Sequence, residues 1–125
     1  MNLRNFLQMV VLAVASLGFG GLANAADLPA AEKTKIEALI SKIENLGEAK
    51  FIRNGSEYDA KTAAKFLRGK WEKKAKEIAS AKDFIDKAGT KSDMSGKPYM
   101  IQLKGQAATP CGPYLKAQLE KLEAK

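Results

Sequence analysis

Apolar residues recur at Ile36, Leu39, Ile40, Ile43 and Leu46, three and four positions apart, with polar and charged residues between them. That spacing places them on one side of a helix and predicts an amphipathic helix from Pro29 to Leu46. Pro29 suits its first turn, and Gly47 suits a left-handed stop just beyond it. A second stripe, Ala60, Ala64, Leu67, Trp71, Ala75 and Ile78, predicts a helix from Ala60 to Ala79. Trp71 falls at the centre of that stripe and is expected to be the largest anchor of the core. Asp59 stands where its carboxylate can cap the helix.

Between the two stripes the period changes. In "FIRNGSEYDA" the pair Asn54-Gly55 separates Phe51-Ile52-Arg53 from Ser56-Glu57-Tyr58. Both residues tolerate the positive φ that a two-residue type I′ turn demands, which predicts a hairpin over residues 51–58. Ser80 and Asp83 resemble a capping box with Asp in place of Glu. They open a short helix from Ala81 to Ala88 that carries Phe84, Ile85 and Ala88 inward and stops at Gly89. Residues 98–103, from Pro98 to Leu103, read as a strand, because its first position needs no ladder donor. "ATPCGP" reads as a loop, and Pro113 opens a last helix with Leu115, Leu119 and Leu122 at i, i+4 and i+7. The fold expected is α+β: about four helices packed on a short three-stranded antiparallel sheet made of hairpin 51–58 and strand 98–103.

A different pattern precedes all of this. Arg4 is followed by a largely apolar run from Phe6 to Leu22 and then by Ala23-Asn24-Ala25. A basic start, an apolar middle and a small-x-small end predict a signal peptide over residues 1–25, cleaved after Ala25. The run is 17 residues long, at the lower edge of what spans a bilayer, so a retained anchor is the competing reading. Gly18, Gly20 and Gly21 favour cleavage. The expected location is a bacterial periplasm, with residues 26–125 as a single globular domain and no stable membrane span after cleavage.

Composition then narrows the chemistry. Arg4 is the only charged residue in the leader, so 20 basic and 14 acidic residues remain, a net charge of +6. The chain has no histidine and one cysteine, Cys111. Imidazole-dependent nucleophiles and closed zinc or copper sites are thereby excluded, and no internal disulfide is possible. Neither a cofactor nor a metal is expected. Ser95-Gly96-Lys97 invites comparison with a phosphate loop, but Gly89 and Gly96 have six residues between them and Pro98 follows the lysine. Catalysis by Ser95 would need Lys97 neutral and desolvated, and nothing nearby in sequence suggests a buried lysine. Glu57, Asp59, Asp83 and Asp86 are the carboxylates available for glycosidic chemistry, and their spacing suits caps and surface pairs better. Lys61, Lys65, Arg68, Lys70, Lys73, Lys74 and Lys76 spread round the polar arc of the second helix, as a solvated face does. An exported chain without stacking aromatics on that arc does not read as a nucleic-acid binder.

The blocks "FIRNGSEYDA…AAKFLRGK", "AKDFIDKA" and "MSGKPY" resemble the YfeK-like group of small exported bacterial proteins, over roughly Lys33 to Leu103. The resemblance implies export and a shared fold, and no activity. It places Arg53, Asn54, Gly55, Arg68, Lys70, Phe84, Ile85, Ser95, Gly96, Pro98 and Tyr99 on recurring positions. Several members carry histidine at the place of Phe66 and some at that of Tyr58; this chain departs at both.

Asn54, Gly55, Trp71, Gly96 and Pro98 have plain structural roles. Arg53, Arg68, Lys97 and Tyr99 do not, and they are the candidate ligand-binding residues: a small positive pocket edged by a tyrosine, should Arg68 project towards the sheet. The function expected is that of a non-catalytic periplasmic binding or accessory protein with a basic surface, its partner an anionic envelope component or another protein. The alternative is a small cell-envelope hydrolase using Ser95 and Lys97 or a carboxylate pair.

Overall fold

Helix α1, Ala30–Glu44, begins directly after Pro29 and buries Ile36, Leu39, Ile40 and Ile43. It is the first element of a computed structural model that describes residues 28–124; the leader read at residues 1–25 lies outside the described residues. Helix α1 ends two residues short of the expected Leu46, with Asn45 as its C-cap, and Gly47 at φ 69° supplies a left-handed bend three residues beyond the helix.

Strand β1, Lys50–Arg53, and strand β2, Ser56–Asp59, form the hairpin, pairing Phe51 with Tyr58 and Arg53 with Ser56. Asn54 and Gly55 take φ of 52° and 84°, as the type I′ reading requires. Strand β3, Met100–Gln102, runs antiparallel to β1 and sets Ile101 opposite Phe51. A fourth strand, β4, Thr109–Pro110, pairs with β3. The sheet order is therefore β2-β1-β3-β4, four strands where three were expected. The addition comes from "ATPCGP", read as a loop. Two residues carry too little pattern to announce a strand, and Pro110 fits because an edge strand can spare a donor.

Helix α2, Ala60–Lys73, starts where Asp59 accepts a hydrogen bond from the Thr62 amide at 2.8 Å. It ends earlier than the expected Ala79. Lys74 leaves helical geometry, a 3₁₀ turn covers Ala75–Glu77, and Ile78 is buried from an extended segment. Ala75, counted on the buried stripe, is exposed.

Ser80 Oγ accepts from the Asp83 amide at 3.0 Å and Asp83 accepts from the Ala79 amide at 3.0 Å, so the capping pair is present. Helix α3, Ala81–Phe84, passes into a π-helical turn, Ile85–Gly89. Gly89 is the last residue of that turn and is not left-handed; a Cβ there would stand 2.7 Å from Leu115 Cδ1, which favours glycine. Helix α4, Cys111–Glu123, starts after Pro110. Pro113 is thus its third residue, still within the first turn whose amides lack intrahelical acceptors.

Helix α2 packs on β1 and β2, α4 on β3 and β4, and α1 against α2, α3 and α4. The core runs between them. Phe84 is its largest fully buried side chain, whereas Trp71 is only partly buried and meets the Phe84 ring edge-on at 6.1 Å. The anchor role expected of Trp71 belongs to Phe84, which is fully buried while Trp71 keeps part of its surface in solvent.

Candidate functional site: a cation-edged apolar pocket

Strand alternation sends Phe51, Arg53, Tyr58 and Tyr99 to the helix-facing side of the sheet. Opposite them stand Thr62, Ala63, Phe66 and Leu67 of α2. These side chains, with Ile52 and with Cys111 at the start of α4, line a cavity of about 240 Å³. Small residues explain why space remains. Ala63 faces the sheet where a longer side chain would fill it.

Arg53 is the pocket's cation. Its guanidinium carbon lies 4.4 Å from the Phe66 ring centroid and 5.5 Å from that of Tyr58, within cation–π range of both. Its Nε is buried and has no hydrogen-bond partner among the described residues. No carboxylate of the described residues pairs with it either. A buried donor left unpaired costs about 1–3 kcal/mol, so such a group needs an explanation.

Behind Tyr99 sits a second cation, one the sequence did not single out. Lys70 is only 8% exposed. Its Nζ donates to Tyr99 Oη at 2.8 Å and to the Lys91 carbonyl at 3.0 Å, and stands 3.8 Å from Asp93 Oδ2. Asp93 is shared with Lys74 at 2.9 Å. Burial lowers the Lys70 pKa, with Asp93 opposing the shift. Burial also pushes the Tyr99 hydroxyl up to about 12, and the Cys111 thiol to about 12. Both are neutral at physiological pH, and a protonated thiol is a poor nucleophile.

The sequence pattern puts Lys70 on the solvated arc of α2, and the structure buries it. Ala63, Leu67 and Lys70 stand at i, i+4 and i+7 on the face turned to the sheet and the 91–97 loop. The ammonium is tolerated there because distant backbone and hydroxyl oxygens meet it. The periodicity held the clue; the partners did not show.

Of the four residues proposed from sequence, Arg53 and Tyr99 share the pocket. Arg68 does not project towards it. It is turned to α1, donating to Glu37 at 2.7 Å. Lys97 is exposed in the loop that Gly96, at φ 74°, closes. That loop is tied to the hairpin, since Asn54 Nδ2 donates to Ser92 Oγ at 3.3 Å and Ser95 Oγ donates to Asn54 Oδ1.

Ser95 Oγ also accepts from the Lys97 amide at 3.2 Å, so its hydroxyl braces a turn. The candidate carboxylates are similarly engaged: Glu57 with Lys50, Asp59 and Asp83 as caps, and Asp86 with Lys116. Among the described residues no cluster of three His, Cys, Asp or Glu side chains could hold a metal, and no helix is long and apolar enough to cross a membrane.

Fold and site together define a small α+β domain with an apolar pocket between a helix and a sheet, and an unsatisfied arginine at its edge. The chain belongs to the family of unknown function DUF5329, whose pattern it matches over residues 30–123. It is 32% identical over 74 residues to the uncharacterised protein YfeK of Salmonella typhimurium, a match covering 59% of this chain and 62% of that protein. No solved structure matches it.

Proposed function

We propose that this is an exported, non-catalytic binding protein of the bacterial periplasm, and that the cavity beneath α2 is where it binds. One observation carries the reading: the Arg53 guanidinium, paired with no carboxylate of the described residues, at the edge of an apolar cavity of about 240 Å³. The leader-like residues 1–25 and the net positive charge support export and an anionic ligand or partner. A site of this form differs from a basic surface patch. Attraction by solvated lysines fades once the screening length falls to about 8–10 Å at physiological salt, whereas a desolvated contact is screened far less.

Occupancy of the cavity is tested with an apolar anionic dye, 8-anilinonaphthalene-1-sulfonate. The folded protein enhances its fluorescence, and Ala63→Phe, which fills the space, removes most of the enhancement. An enhancement unchanged by Ala63→Phe, yet abolished by about 0.5 M salt, would move the site to the lysine-rich surface.

A further inference from the structure

We infer that the pocket's ligand is a small monocarboxylic acid with an apolar body, its carboxylate on the guanidinium of Arg53 and its body against Phe51, Ala63, Leu67 and Cys111. The inference rests on the binding reading above and adds the ligand's chemistry.

The head group follows from how Arg53 is held. The guanidinium carbon lies over the Phe66 ring at 4.4 Å, which fixes the cation beside the apolar wall. Arg53 lines the cavity, and no carboxylate of the described residues pairs with it. A guanidinium edge is a fork of parallel donors and matches the two oxygens of a carboxylate. The charge follows from a count of free cations. Lys70 approaches the same Phe66 ring at 5.9 Å, but it is already engaged with Tyr99, the Lys91 carbonyl and Asp93. One cation is therefore left for the ligand, which suits a single negative charge. A dianionic phosphate monoester would ask for a second free donor.

The body follows from the walls. Phe51, Ala63 and Leu67 offer carbon, and Cys111 offers a protonated thiol that behaves as a small apolar group. Sugar hydroxyls would lose their water there without replacement, which disfavours a glycan. The volume, about 240 Å³, lies below the roughly 300–1,000 Å³ of sites for drug-sized molecules, so the body is short.

Calorimetric titration of the purified protein with octanoate, octan-1-ol and acetate separates the components. Octanoate is expected to bind about 10- to 100-fold more tightly than octanol, the equivalent of a hydrogen bond to a charged group. Acetate should bind more weakly than either. Arg53→Met should bring octanoate down to the octanol affinity while octanol binds unchanged. Arg53→Lys keeps the charge without the fork and should restore only part of the preference. In the wild type, the Arg53 Nε–H resonance should shift with octanoate and stay still with octanol.

Equal affinities for octanoate and octanol would overturn the acid assignment and leave an apolar pocket. Acetate binding as well as octanoate would overturn the apolar body. Full affinity in Arg53→Lys would overturn the edge assignment. Failure of both octyl compounds to bind would remove the pocket reading itself.

Discussion

The two ends of this small domain are built on opposite terms. Around Phe84, the helices close on one another with Ile36, Leu39, Ile43, Ile85 and Leu115 fully buried. Fit is tight enough that Gly89 has no room for a methyl group beside Leu115. Between α2 and the sheet, in contrast, a cavity remains, one arginine nitrogen is unsatisfied, and a lysine is buried behind a tyrosine. Close packing is what stabilises a hundred-residue domain. An end that forgoes it, while holding charge out of water, is arranged for something other than stability.

The contrast can be broken by mutation, and the largest effect belongs to the packed end. Phe84→Ala should lower unfolding free energy by about 3–5 kcal/mol in a urea melt. Trp71→Ala, with its indole partly exposed, should cost about half as much. A Trp71 cost equal to that of Phe84 would mean that the indole is the core anchor the sequence suggested.

The pocket end should show itself next, at high pH. Cys111 and Tyr99 keep their protons in the fold above the pH at which an unfolded chain releases them, so the folded state binds more protons and loses stability as pH rises. The window runs from 9.0 to about 12 for Cys111 and from 10.0 to about 12 for Tyr99. Each pH unit there removes up to about 1.4 kcal/mol per group. Urea midpoints followed against pH should begin to fall near 9, and Cys111→Ala should delay the fall to about 10.

Smaller effects sharpen the contrast. Gly89→Ala should cost about 1–3 kcal/mol through overpacking against Leu115. Lys70→Met should change stability at neutral pH by no more than about 1 kcal/mol, because removing a buried charge offsets the lost hydrogen bonds and Asp93 keeps Lys74. The sign of its pH dependence is opposite to that of the cysteine. Lys70 is lowered from 10.5, so its protonation penalises the fold at neutral pH and the penalty fades as pH rises towards that value. The variant should lack that rise. A loss above about 3 kcal/mol at pH 7 would make Lys70 a structural keystone.

The packed end was the legible one. The α1 stripe, the Ser80 cap and the inward Phe84 all depend on neighbours within a few residues, and local spacing reveals them. The pocket end depends on partners far apart in the chain. Lys70 is satisfied by Lys91 and Tyr99, and Arg68 is drawn away by Glu37, 31 residues earlier. Arg53 and Tyr99 could be placed together because both were expected on strands of one sheet. That Phe66 would lie under the guanidinium could not be read, since an aromatic beside an apolar stripe looks like core. Strand β4 was missed because its two residues gain their meaning only from β3.

The account turns on Arg53 serving a ligand at no benefit to the fold, and Arg53→Met tests this with two readings on one sample. It predicts a urea midpoint equal to or above the wild-type value, together with loss of the preference for octanoate over octanol. A clear drop in midpoint with that preference intact would show that the arginine holds the sheet and helix together and that the ligand, if any, is bound elsewhere.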